Sequence, residues 1–167
     1  MGQHEHHAVA PRTVTVAVVT LSDSRSPVND RTGDTIVALL EAADHSVTGR
    51  ELVREDPPTI RAVLEAALAG PAQAVILNGG TGIAPRDSTP EIIAGLLERE
   101  LPGFGELFRQ LSFREIGAAA MLSRSLAGVA RGKLLFALPG SENACRLALE
   151  QLILPELGHL VGELRKG

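Results

Sequence analysis

Apolar and polar positions alternate along the chain in blocks that predict strands and helices in turn. Thr13 to Leu21 carries Val14, Val16, Val18 and Val19 and is apolar on nearly every residue, which predicts a central strand covered on both faces. Ser22 to Arg31 is polar, with Pro27 and Asn29, and marks a loop. From Thr32, the positions Ile36, Leu39, Leu40 and Ala43 follow helical spacing, and Ser46 to Val53 can form a second strand. Pro57 and Pro58 open a helix, where proline is tolerated, with Ile60, Val63, Leu64, Ala67 and Leu68 as its apolar face. Ala74 to Leu77 is a third, wholly apolar strand, followed by a glycine-containing loop from Asn78 to Thr89.

The second half reads less regularly. Pro90 to Glu100 predicts a helix with Ile92, Ile93, Leu96 and Leu97 on one face, and Gly105 to Phe113 predicts another. Ser125 to Ala130 and Leu134 to Leu138 read as extended segments. Ser141 is a plausible N-cap for a helix through Leu154, and Pro155 either kinks that helix or starts a new one. The alternation predicts an α/β fold, a mostly parallel sheet with helices on both faces. One domain is expected over residues 13–167, after a mobile tail at residues 1–12. His4, His6 and His7 in that tail could chelate a metal, although such a stretch is more often a plain tail.

The net charge of −4 argues against a general nucleic-acid or anionic-membrane binder. No apolar run reaches the length of a bilayer span, and a cytoplasmic protein is expected. Cys145 is the only cysteine, so no intramolecular disulfide and no cysteine-rich zinc site can form; it reads as a small buried hydrophobe. Tyr and Trp are absent and the four Phe are 104, 108, 113 and 136, which leaves few partners for stacking on a base or pterin.

Ligands of an open parallel sheet sit beyond the carboxyl ends of its strands. Those loops are Ser22-Asp23-Ser24-Arg25, Arg54-Glu55-Asp56-Pro57, Asn78-Gly79-Gly80-Thr81-Gly82 with Arg86-Asp87-Ser88-Thr89, and Pro139-Gly140-Ser141. Three glycines in the four positions 79–82 permit positive φ and an anion-binding nest of N–H groups. A ligand loop and a bare tight turn remain equal readings of that tetrapeptide. It matches neither the Walker loop nor the dinucleotide fingerprint. Ser88 or Thr89 can cap the helix that Pro90 begins, and Arg86 could pair with a phosphate. Asp87 beside a phosphate loop makes sense if a cation such as Mg²⁺ lies between them. Asp23, Asp30, Glu55 and Asp56 add carboxylates on the same edge.

Taken in order, Thr20-Leu21-Ser22-Asp23, Asp30 through Gly33, Gly79-Gly80-Thr81-Gly82, Arg86-Asp87 with Thr89-Pro90-Glu91, Pro102-Gly103-Phe104-Gly105, Leu122-Ser123-Arg124 and Leu138-Pro139-Gly140 resemble the MoaB/MogA family of molybdenum cofactor biosynthesis proteins, from about Val14 to about Leu157. Leu111 to Gly117 and Pro139 to Arg146 look more like the MoaB branch. The resemblance implies a three-layer α/β/α fold that binds molybdopterin. In active members molybdopterin is adenylylated by ATP with Mg²⁺, and pyrophosphate leaves. Asp87 matches a family aspartate that would hold Mg²⁺. The second family acid corresponds to Glu55 without a gap, or to Asp56 if the register slips by one. Ser22, Asp23, Asp30, Gly33, Gly79 to Gly82, Arg86, Ser88, Thr89 and Pro139 to Ser141 would line the nucleotide and pterin sites.

Three activities compete: a molybdopterin adenylyltransferase, a non-catalytic protein holding molybdopterin or its precursor, and a scaffold. Binding a pterin phosphate alone does not require Asp87, so the carboxylates favour the enzyme. Phe104, Leu107, Phe108 and Leu111, with Phe113 following, form one more apolar face, suited either to the core or to an oligomer contact. The resemblance implies trimers, paired into hexamers in the MoaB branch, and other cofactor-biosynthesis proteins as partners.

Overall fold

A computed structural model describes residues 10–166. The expected tail falls mostly on residues 1–9, and with it His4, His6 and His7, outside the described residues. Its last part, Ala10 and Pro11, lies across Gly158 and Gly162 of the final helix, so these residues are packed.

Six strands form one sheet: β1 (Thr15–Leu21), β2 (Ser46–Val53), β3 (Ala74–Asn78), β4 (Arg99–Glu100), β5 (Leu126–Ala130) and β6 (Lys133–Leu138), in the order β2-β1-β3-β6-β5-β4. The first four strands of that order are parallel, and β5 pairs antiparallel with β6 and with β4. The antiparallel pair follows from its turn. Arg131 and Gly132, at φ 50° and 71°, are the two residues between β5 and β6, a hairpin connection far too short for a parallel crossover.

Side chains of successive strand residues feed two cores. Val16 and Val18 of β1, Ile76 of β3 and Phe136 of β6 pack with α1 (Arg31–Ala42), α4 (Pro102–Ile116), α5 (Glu142–Ala148) and α6 (Leu154–Leu164). Val19, Leu21, Val75, Leu77 and Leu135 pack on the other face with α2 (Pro57–Ala69) and α3 (Thr89–Leu96). The fold is therefore three-layered with a mostly parallel sheet, as expected, and the central strands are buried on both faces because both are helix-covered.

Two local expectations are corrected. The helix expected over Pro90–Glu100 stops at Leu96, because Arg99 and Glu100 pair with Val129 and Gly128 as a sixth strand. α4 begins at Pro102 and runs to Ile116, three residues either side of the expected span. The helix from Ser141 passes into a π-helical segment, Leu149–Ile153, and α6 then begins at Leu154 with Pro155 in its first turn, the second of the two readings of that proline.

Candidate functional site

The chain runs from β1 out to the β2 edge and then back to β3 on the other side of β1. Loops after β1 and β3 therefore diverge, which opens a crevice at the strands' carboxyl ends. A cleft of about 450 Å³ lies there. Its floor is Leu21, Ser22, Gly79 to Gly82 and Pro139 to Ser141, and Glu55 and Asp87 face it. The wall opposite comes from Phe108, Ser112 and Ile116 of α4 and from the 3₁₀ turn Gly117–Leu122.

The acidic end is built on the glycine loop. Gly79 and Gly80 hold φ of 111° and 68°, conformations that favour glycine. A Cβ on Gly80 would fall on Thr89 Oγ1 and within 2.9 Å of Glu55 Oε1, and one on Gly82 within 2.7 Å of Asp87 Oδ2. The loop thus lets two carboxylates and a hydroxyl close over its backbone. Asp87 Oδ2 accepts from Ala84 N at 2.7 Å. The Glu55 carboxyl is pushed above its ordinary range by burial, by its hydrogen bond to Asp87 and by the charge of Asp87, with Arg86 acting the other way. Two carboxylates this close repel each other, and a cation between them would relieve that repulsion. Thr89 Oγ1 and Ser88 Oγ are buried without a hydrogen-bond partner. Hard oxygen donors in this state suit Mg²⁺, which takes one or two carboxylates and completes its shell with waters and substrate phosphate. Among the described residues no group of three or more His, Cys, Asp or Glu could hold a metal unaided.

At the other end the charges are paired. Arg25 donates from Nη2 to the Gly140 carbonyl at 2.8 Å and lies 3.7 Å from Asp30 Oδ1. Thr32 Oγ1 donates to the same carbonyl at 3.0 Å. Asp30 is 1% exposed and also accepts from Gly33 N, Thr20 Oγ1 and Arg50.

The structure gathers Ser22, Glu55, Gly79 to Gly82, Asp87 and Pro139 to Ser141 at the cleft. It does not bring Asp30 or Gly33 there: Asp30 caps α1 through the Gly33 amide, and a Cβ on Gly33 would strike that carboxylate. Asp56 caps α2, accepting from Thr59 N at 3.0 Å and Thr59 Oγ1 at 2.9 Å, which holds its carboxyl below the usual range. Asp23 accepts from Glu55 N at 3.1 Å and so ties the β1 loop to the β2 loop. Arg86 is exposed beyond the floor. Ser88 occupies the cap position of α3 without a side-chain cap bond, and Thr89 lies inside the helix, so neither hydroxyl caps it as expected. Buried Cys145 contacts the Pro139 carbonyl through its thiol and is pushed up to about 12 by burial, which fits a small hydrophobe and no nucleophile.

Sequence reasoning missed Ser112, Ile116, Ala119 and Ala120, which reach the cleft only because α4 folds back over the strand ends. It also left out Arg124 as a site residue. Arg124 Nε donates to the Gly82 carbonyl at 2.8 Å, Nη2 to the Asp87 carbonyl at 2.8 Å, and Nη1 pairs with Glu91.

Residues 17–159 match a family described as "Probable molybdopterin binding domain". The chain is 47% identical over 169 residues to molybdenum cofactor biosynthesis protein B of Halalkalibacterium halodurans, covering 99% of each chain. A crystal structure of molybdenum cofactor biosynthesis protein B superposes with a TM-score of 0.91 at 44% identity, covering 95% of this chain and 99% of that one. The tungsten cofactor synthesizing protein MoaB from Pyrococcus furiosus superposes with a TM-score of 0.83 at 35% identity, covering 94% and 100%. With two cores, a strand-end cleft and this extent of identity in agreement, the chain belongs to the molybdenum cofactor biosynthesis protein B family.

Proposed function

We propose that this protein is a molybdopterin adenylyltransferase: it binds molybdopterin and ATP in the strand-end cleft and transfers the adenylyl group to the pterin's terminal phosphate. The observation that carries this reading is the Glu55–Asp87 pair, two facing carboxyls over a glycine loop, where burial and the charge of Asp87 outweigh the nearby Arg86 at Glu55. A protein that only held a phosphorylated pterin would be weakened by such a pair, since two acids repel an anion.

A phosphate oxygen of molybdopterin attacks the α-phosphorus of ATP; the new P–O bond forms as the bond to the β-phosphate breaks, and pyrophosphate carries away that electron pair. No covalent enzyme intermediate is needed, so the protein's contribution is alignment and charge placement. Glu55 and Asp87 would hold Mg²⁺, which neutralises charge on the phosphates when bound. The amides of Gly80 to Gly82 supply donors for phosphate oxygens. Ser22 is largely committed to its own loop, where Oγ accepts from Ser24 N and Arg25 N, and acts by shaping the floor. The apolar wall of Phe108, Ile116 and Leu122 excludes water from one side.

Purified protein with molybdopterin and Mg-ATP should release pyrophosphate in step with adenylylated product. Retained molybdopterin binding without pyrophosphate release would replace this reading by a non-catalytic one. A homohexamer built from trimers, with a trimer as fallback, is the proposed assembly. Its support is the exposed apolar side chains Phe113, Ile116, Met121 and Leu122 at the end of α4 and in the 3₁₀ turn, more than a single surface hydrophobe; of the face expected from the sequence, Phe104 and Phe108 pack into the core. Light scattering at micromolar concentration reads it, and a monomer mass overturns it. Other cofactor-biosynthesis proteins are proposed as its partners, and the cytoplasm as its compartment; among the described residues no helix is long and apolar enough to cross a membrane.

A further inference from the structure

The loop between β3 and α3 is held down unevenly. Gly79 N donates to the Leu138 carbonyl and Thr89 N to the Gly80 carbonyl, so both ends are fixed. Between them, residues 83–86 are exposed, and their own bonds are local: Asp87 N to the Ala84 carbonyl at 2.9 Å, and Ala84 N to the Asp87 carboxylate. Among the described residues, the hydrogen bonds that tie the backbone of residues 82–87 to another element come from Arg124, at the Gly82 and Asp87 carbonyls. Its backbone N–H adds a third tie at the Thr81 carbonyl, 3.0 Å away, and its remaining nitrogen pairs with Glu91 in the first turn of α3.

The two carbonyls are the feet of the bend that carries the Asp87 carboxylate. A planar guanidinium spans both at fixed separation, which a lysine ammonium, a single point of attachment, cannot do. We propose that Arg124 is a positioning residue that fixes the Asp87 carboxylate against Gly82 and Glu55 by clamping both feet of its loop. It lies two residues past the 3₁₀ turn that contributes to the cleft's apolar wall, so its bonds join that wall to the acidic loop. The inference rests on the adenylyltransferase reading for its effect on turnover, and on geometry alone for the clamp.

The test is a double-mutant cycle of Arg124→Gln and Asp87→Ala, with hydrogen exchange on the unliganded proteins. Arg124→Gln should lower kcat by about 100-fold, the scale of an ångström-sized misplacement, with KM changed by less than about threefold. In the Asp87→Ala background the same change should cost less than about threefold, because the group it positions is gone. Amides of Ala84 and Asp87 should exchange faster in Arg124→Gln while those of β1 and β3 keep their wild-type rates. Mn²⁺ alone, titrated by electron paramagnetic resonance, should bind more weakly to Arg124→Gln than to wild type, but equally to Asp87→Ala and the double variant. Arg124→Lys should recover less than a tenth of the lost turnover. Equal fold-losses in both backgrounds, or unchanged exchange at Ala84 and Asp87, would overturn the clamp. If wild type releases no pyrophosphate, the adenylyltransferase reading falls, and the exchange and Mn²⁺ results alone then decide the clamp.

Discussion

The two ends of the cleft carry charges of both signs but treat them differently. At the Arg25 end the buried Asp30 accepts from an amide, a hydroxyl and Arg50 and pairs with Arg25. At the Asp87 end Glu55 and Asp87 face each other, and two hydroxyls next to them are buried with nothing to bond. A site whose polar groups satisfy one another is scaffold. A site that leaves capacity unused is unstable by itself and becomes complete when something arrives, since an unpaired buried polar group costs free energy. On the proposed reading the Asp87 end is where ligand and cation would sit, and the Arg25 end is what braces the floor.

The sharpest way to break this contrast is at Asp30. Asp30→Ala should destabilise the fold by about 3–5 kcal/mol, the cost of leaving buried partners unpaired, read as a large fall in Tm. A variant that folds as well as wild type but binds nucleotide poorly would make Asp30 a ligand group instead. At the opposite end, Asp87→Ala should leave Tm within a few degrees of wild type and cut Mg²⁺-dependent turnover by about 100-fold or more, while molybdopterin binding changes far less. Equal turnover of variant and parent across a metal titration would sink the role given to Asp87.

Glu55→Gln sharpens the comparison through pH. The folded protein raises the Glu55 carboxyl above its ordinary 4.5, so the native state binds that proton more tightly than the unfolded chain. Stability from this source is fully present below 4.5 and is lost as pH rises through the elevated value. Glu55→Gln should therefore unfold at a higher temperature than wild type at pH 7, with the gap closing toward pH 4.5, and yet turn over more slowly. A gap independent of pH would remove the explanation. The smallest effect is expected at Asp56, whose carboxyl serves α2. Asp56→Ala should lower Tm modestly and leave kcat within about twofold, because a cap acts on its helix. A turnover loss as great as that of Glu55→Gln would return Asp56 to the site.

The strands and their order of burial were legible because each carries its own signal. Val16 and Val18 feed one core and Val19 and Leu21 the other, which an unbroken apolar run announces. The glycine loop and Asp87 were legible too, since positive φ and an acid next to a phosphate-type loop leave a mark in composition. Glu55 against Asp56 was not separable along the chain: the two are neighbours, and only the direction in which α2 starts makes one a cap and turns the other toward Gly80. Ser112, Ile116 and the 3₁₀ turn were invisible for a different reason. Their part in the cleft depends on where α4 crosses the strand ends, and the expectation of a helix through Glu100 hid the short β4 that sets that crossing. Arg124 stood within a segment that resembled the family, but its bonds go to carbonyls, which have no sequence signature.

The π-helical segment at Leu149–Ile153 makes the last helix unusually sensitive to chain length. A π segment holds one residue more than the α-helix it interrupts, and each residue turns a helix by about 100°. Every side chain after Ile153 keeps its direction because the π turn absorbs that extra residue. Leu157 and Val161 point into the core, at 0% and 3% exposure, only with it absorbed, and Gly158 and Gly162 turn their bare faces to Pro11 and Ala10 in the same register. Removing one residue from 149–153 would let the segment close into a regular α-helix with α6 still in phase, whereas adding one, or forcing the present length into α geometry, would rotate α6 by about 100°. Within this stretch a one-residue deletion is thus more tolerable than a one-residue insertion, an asymmetry that a regular helix does not have.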